Sequence, residues 1–62
     1  MNYNNIYLKL INNAKSREYP SIKEMHHIIP KCMGGGNSKD NLVALTPKEH
    51  YVAHHLLYKI YN

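Results

Sequence analysis

Four of the five histidines in this chain fall into two tight groups. His26 and His27 are adjacent and run into Ile28-Ile29-Pro30, whereas His50 and His54 stand four residues apart. Asn41 and the triple glycine Gly34-Gly35-Gly36 lie between them. Imidazole is a common ligand for transition metals, and a neutral imidazole is also a competent base near neutral pH. Residues four apart share a face of a helix, so His50 and His54 can point at one place if their segment is helical. The pattern reads as a metal site with an imidazole to spare.

For these groups to meet, an extended segment and a helix must bring them together. The run Ile22 to Ile29 is rich in β-branched residues and partly alternating, which predicts a strand ending at Pro30. Strict alternation would send His26 and His27 to opposite sides, so a shared site requires the strand to bulge or end there. Lys31 to Asp40 reads as a long turn whose glycines permit close backbone approach. Its residue order lacks the Gly-Lys-Ser/Thr of a Walker loop. Leu42 to Leu45 reads as a second, buried strand, giving an antiparallel hairpin with a wide loop. Thr46-Pro47-Lys48-Glu49 is the clearest local signal: an N-cap, a proline at the first helical position and the glutamate of a capping box. The helix it starts is expected to reach about Ile60, with Ala53, Leu56, Leu57 and Ile60 as its apolar stripe.

The N-terminal part is simpler. Tyr3, Ile6, Tyr7, Leu10, Ile11 and Ala14 fall at helical spacing, so Tyr3 to about Lys15 is expected to cover the core. The alternative use of this segment is contact of Lys9, Lys15 and Arg17 with phosphates. Ser16 to Ser21 is a connector, with Pro20 turning Tyr19 away from helix.

With 62 residues the chain makes one domain at most, and so small a core is expected to lean on a metal, a second copy or a C-terminal continuation. Cys32 is alone, so no intrachain disulfide forms, which fits a reducing compartment. The polar, tyrosine-rich start does not read as a secretory leader, and no apolar run approaches the roughly 20 residues of a membrane span. A formal net charge of +4 favours a polyanionic partner, nucleic acid ahead of a membrane surface. Hydrolysing a phosphodiester needs charge stabilised at the phosphate and its leaving oxygen, and a base to activate water. Three histidines on metal and one free for water is the economical division.

The ordered set His26-His27-Ile28-Ile29-Pro30, the glycine loop, Asp40-Asn41-Leu42-Val43, Glu49-His50 and Ala53-His54 resembles the HNH endonucleases, closest to phage-borne and intron-encoded members. The resemblance spans about Glu24 to Ile60. It implies an α+β chain with a ββα-metal fold: residues 1–21 as N-terminal helix and connector, 22–60 as hairpin and helix around one divalent ion. It also implies hydrolysis of double-stranded DNA, in the cytoplasm of a bacterial or phage-infected cell. By position it makes His27 the general base, Asn41 the residue that braces the loop and orients the base, and His26, His50 and His54 the metal ligands. His26 stands where many members carry aspartate, which leaves the metal open among zinc, manganese, nickel and magnesium: three nitrogen ligands lean toward zinc, nickel or manganese, whereas magnesium prefers oxygen. Glu24 is read as a hydrogen-bond partner of a ligand histidine or a plain strand-surface carboxylate. Lys31, Lys39 and Lys48 are candidate phosphate contacts, and His55 is read as solvent-facing or phosphate-contacting. Sequence specificity is expected to be weak. The competing readings are a metal-stabilised nucleic-acid-binding module, or an inactive remnant of a homing endonuclease. His27 separates the first of these from the enzyme, because a purely structural site needs no extra imidazole beside its ligand.

Overall fold

A computed structural model describes residues 1–61. Helix α1, Tyr3–Lys15, begins where the Asn2 side chain accepts the Asn5 backbone N–H at 3.1 Å and ends as the Ser16 N–H closes onto the Asn12 carbonyl. Its expected apolar face is narrower than the spacing suggested. Tyr7, Ile11 and Ala14 are buried and Tyr3 and Leu10 pack at the margin, but Ile6 is 40% exposed.

The hairpin pairs β1, Glu24–His27, antiparallel with β2, Leu42–Leu45, in the register Glu24 to Leu45 and His27 to Leu42. The expected strand over 22–29 is therefore too long at both ends. β2 offers only four residues to pair with, so Ile22, 72% exposed, and Ile29, 49% exposed, gain nothing from extended pairing. β1 ends at His27, the point at which the strand had to end or bulge for both histidines to serve one site.

The wide loop contains two single helical turns, Lys31–Met33 and Lys39–Asn41. Gly34 lies in the left-handed region at φ 96°, where a side chain is strained. Gly35 is needed for a different reason: a Cβ there would sit 1.7 Å from the Ile29 carbonyl oxygen. Asn41 staples this close approach. Its Oδ1 accepts the Ile29 N–H at 2.8 Å, while Nδ2 donates to the Ile29 carbonyl at 3.0 Å and to the Gly36 carbonyl at 2.9 Å.

Helix α2, Pro47–Tyr61, starts as the sequence indicated. The Glu49 N–H donates to Thr46 Oγ1 at 3.2 Å, and Glu49 Oε1 accepts the Thr46 N–H at 2.9 Å. Arg17 clamps the same carboxylate, donating from Nη1 to Glu49 Oε2 at 2.6 Å and from Nη2 to Oε1. Nη2 also reaches the Ala44 carbonyl at 3.4 Å. The connector arginine is thus spent on holding the start of α2 against the end of β2. An expected uncapped helix end at Asn62 lies outside the described residues.

The core is where α1, β2 and α2 meet: Tyr7, Ile11, Ala14, Val43, Leu45, Ala53, Leu56 and Leu57, closed by Tyr3, Leu10, Ile28 and Ile60. The architecture is a small α+β arrangement, a two-stranded hairpin and a helix with α1 laid across them. Among the described residues no helix is long and apolar enough to cross a membrane.

Candidate functional site

Because the capping box sets the start of α2, His50 falls in its first turn and His54 one turn further, with Leu57 continuing the same row. β1 runs beside this row and delivers His26 to it. The three imidazoles face one another, with ring centroids 5.1 Å apart for His26–His50 and His26–His54 and 4.7 Å for His50–His54. Taking one ring nitrogen from each, the atoms lie within 4.8 Å of one another. His27 lines the same cleft, together with Met25, Pro30, Lys31 and Leu57.

Hydrogen bonding determines which nitrogen each ring can offer. A carboxylate oxygen can only accept, so Nδ1–H of His50 donates to Glu24 Oε1 at 2.7 Å. That leaves the lone pair of His50 on Nε2, which lies 3.0 Å from Nε2 of His54. Without a metal, His54 Nε2–H must donate into that lone pair. The two nitrogens are close to the roughly 3.3 Å expected for neighbouring ligands of one tetrahedral ion with bonds of about 2.05 Å.

His26 is 1% exposed, and its Nδ1 is buried with no hydrogen-bond partner. An unpartnered buried nitrogen is costly and requires an explanation; a lone pair reserved for a cation is one. The site therefore fits a metal, and an all-nitrogen donor set suits imidazole-preferring transition ions such as zinc or nickel better than magnesium. Burial first, then the neighbouring His50, His54 and His27, lowers the His26 pKa to about 4, so this ring stays neutral. Burial and His50 likewise lower that of His54. Both rings thus favour the neutral form, which carries a lone pair a cation can use.

Behind the cluster, Tyr7 of α1 lies 2.8 Å from Nε2 of His26 and donates its hydroxyl to the Ile28 carbonyl at 2.7 Å. Burial, then Tyr61, pushes its pKa up to about 12, so the hydroxyl keeps its proton.

His27 is held separately: its Nε2–H donates to Asn37 Oδ1 at 2.7 Å, leaving the Nδ1 lone pair. Asn41, read from the sequence as both brace and orienter, spends both amide hydrogens and Oδ1 on Ile29 and Gly36. It braces the loop, and Asn37 is the side chain on the His27 ring. Lys31 lines the cleft, whereas Lys39 lines a separate groove with Ala14, Lys15 and Tyr19, and Lys48 is exposed in the first turn of α2. His55 is exposed, as is Cys32.

Two participants were missed from the sequence. Tyr7 was read only as part of an apolar face, although a tyrosine at a core position signals a hydroxyl that must find a partner. Asn37 was read only as a turn residue, and no local pattern marks it out.

A hairpin and a capped helix that converge three histidines, with a fourth imidazole beside them, define a ββα-type module with a metal-competent centre. A family model described as HNH endonuclease matches residues 12–56, and the chain belongs to that family. It is 58% identical over 62 residues to probable mobile endonuclease E of Enterobacteria phage T4, covering 98% of this chain and 44% of that protein. With probable mobile endonuclease C of the same phage it shares 55% identity over 66 residues, covering all of this chain and 31% of the relative. An uncharacterized 38.5 kDa protein in psbA intron 1 of Chlamydomonas moewusii is 43% identical over 60 residues, 97% of this chain and 16% of that protein. The chain thus spans less than half the length of these relatives. No solved structure matches it.

Proposed function

We propose that this chain is the catalytic module of a metal-dependent DNA endonuclease with weak sequence specificity, in which His27 is the general base. The observation that carries the reading is the separation of labour among four imidazoles in one cleft. Three converge their ring nitrogens within 4.8 Å. The fourth is engaged on Nε2 by Asn37 at 2.7 Å and keeps Nδ1 free. A domain that used metal only for stability would have no use for this last arrangement.

His26 through Nδ1 and His50 and His54 through Nε2 would hold the ion, with Glu24 fixing the ring of His50. A bound divalent ion supplies Lewis-acid charge at the scissile phosphate and its leaving oxygen. Nδ1 of His27 takes the proton from the water whose oxygen attacks phosphorus as the P–O bond to the sugar breaks. Asn37 holds the neutral ring in the tautomer whose lone pair is on Nδ1 and aims the ring. Asn41 acts at one remove, holding the loop that carries Asn37. Lys31, at the edge of the cleft, contacts the phosphate backbone, with Lys39 and Lys48 as further contacts.

The test is plasmid cleavage by wild type and His27→Ala, with metal content measured on both. Loss of general-base catalysis should cut the rate by about two powers of ten or more, with metal content and fold unchanged. Undiminished cleavage by the alanine variant would remove His27 from the mechanism.

A further inference from the structure

The orphan nitrogen of His26 has a cause on the opposite side of the ring, in a helix that contributes no ligand. Tyr7 sits on α1, nineteen residues before His26, and touches that ring's other nitrogen, Nε2, at 2.8 Å. A phenol carries one hydrogen. Here the Ile28 carbonyl, 2.7 Å away and able only to accept, takes it. The remaining contact can then be satisfied in one way: Nε2 of His26 carries the hydrogen and donates it to the Tyr7 oxygen. The hydrogen is therefore off Nδ1, which is buried without a partner and, with Nε2 taken by Tyr7, is the nitrogen left for a cation held with His50 and His54.

From this chain of donors and acceptors we propose that Tyr7 is a positioning residue for the metal centre: its hydroxyl locks His26 in the tautomer whose Nδ1 lone pair is left for a cation held with the other two histidines. The proposal rests on the three-histidine reading of the site and extends it to α1. A ring free to choose its tautomer would place a hydrogen on Nδ1 part of the time, and that hydrogen would have to leave before any metal entered. Orientation is fixed as well, because Tyr7 is tied to the backbone of Ile28, two residues beyond the ring it holds. α1 thereby has a second task besides covering the core. Hydrogen-bond partners of metal-ligating histidines characteristically alter affinity by about 10–100-fold.

The experiment compares wild type, Tyr7→Phe and His50→Ala for binding of Zn2+ alone, by titration against a chromophoric chelator, with melting curves recorded in EDTA. Tyr7→Phe keeps the ring and its packing and removes only the hydroxyl. Zinc affinity in this variant should fall about 10–100-fold, by more than any loss in the metal-free melting curve accounts for. Unchanged zinc affinity in a folded Tyr7→Phe overturns the proposal while leaving the histidine site standing. If wild type binds no zinc, or His50→Ala binds it equally well, the site itself fails and this inference with it. Should Tyr7→Phe not fold, nitrogen-15 NMR of metal-free wild type decides the matter. A hydrogen on Nε2 of His26 supports the proposal, and a hydrogen on Nδ1 overturns it.

Discussion

Nε2 of His27, the last residue of β1, lies 2.7 Å from Oδ1 of Asn37, ten residues on across the glycine loop. The contact reaches out of regular structure to hold one tautomer of the ring. An acceptor at residue 37 is what the arrangement requires, and either an amide or a carboxylate can supply it. Asn37→Ala should therefore reduce cleavage by about tenfold or more, part of the range attributable to the base itself. Asn37→Asp should retain most of the rate. Single-turnover cleavage of a short duplex by the two variants checks this, and equal rates in both would remove the hydrogen bond from the account.

Metal should stabilise the fold as well as serve the chemistry. At a concentration about 100-fold above its dissociation constant, a ligand specific to the folded state contributes roughly 2.7 kcal/mol. For a domain of this size, EDTA should then lower Tm by about 10–20 °C. His50→Ala should melt at the chelated temperature and ignore further chelator. Differential scanning calorimetry in zinc and in EDTA measures both, and a melting curve indifferent to each treatment would exclude a shared three-histidine site.

The helix cap makes an acid-sensitive joint. Hydrogen bonds from Arg17 first, then from Thr46, hold the Glu49 pKa at about 2, below the ordinary 4.5. The unfolded chain binds this proton more readily, so between these values stability rises with pH. The contribution is fully present above about pH 4.5 and is lost as pH falls towards about 2. In EDTA, the urea midpoint of wild type should decline across that window, and Glu49→Gln should decline less. Parallel acid limbs for the two proteins would contradict the assignment.

Binding to DNA should be salt-steep and nearly sequence-blind. The hairpin and α2 build the three-histidine cluster, α1 covers the core, and Arg17 is paired with Glu49. What remains near the cleft is lysine, which contacts phosphates and reads no base edges. With about three phosphates neutralised, log affinity should fall against log salt with a slope of about −2.7. Lys31→Ala should make that slope shallower by about one unit. Mapping cuts on a long random-sequence duplex completes the test: one strong site surviving high salt would reveal a reading surface elsewhere.

Much of this protein is determined by local sequence. Helix α1 follows from apolar spacing, the start of α2 from Thr46-Pro47 and Glu49, and the hairpin from two short apolar runs around three glycines. The two helical features depend on neighbours within four residues, which is why they could be read directly. The meeting of His26 with His50 and His54 was legible from the order of the motif. The end of β1 was not, because it depends on how many residues β2 offers for pairing. Glu24, read as a partner of a ligand histidine or a plain strand-surface carboxylate, does bind the His50 ring. The partners of the other two rings were not legible: Tyr7 and His26 are nineteen residues apart, and His27 and Asn37 ten. A tyrosine in an apolar stripe and an asparagine in a turn look ordinary in sequence. Only the packed fold, by bringing a lone hydroxyl or amide oxygen within 3 Å of a ring nitrogen, decides where each proton sits and which lone pairs remain free.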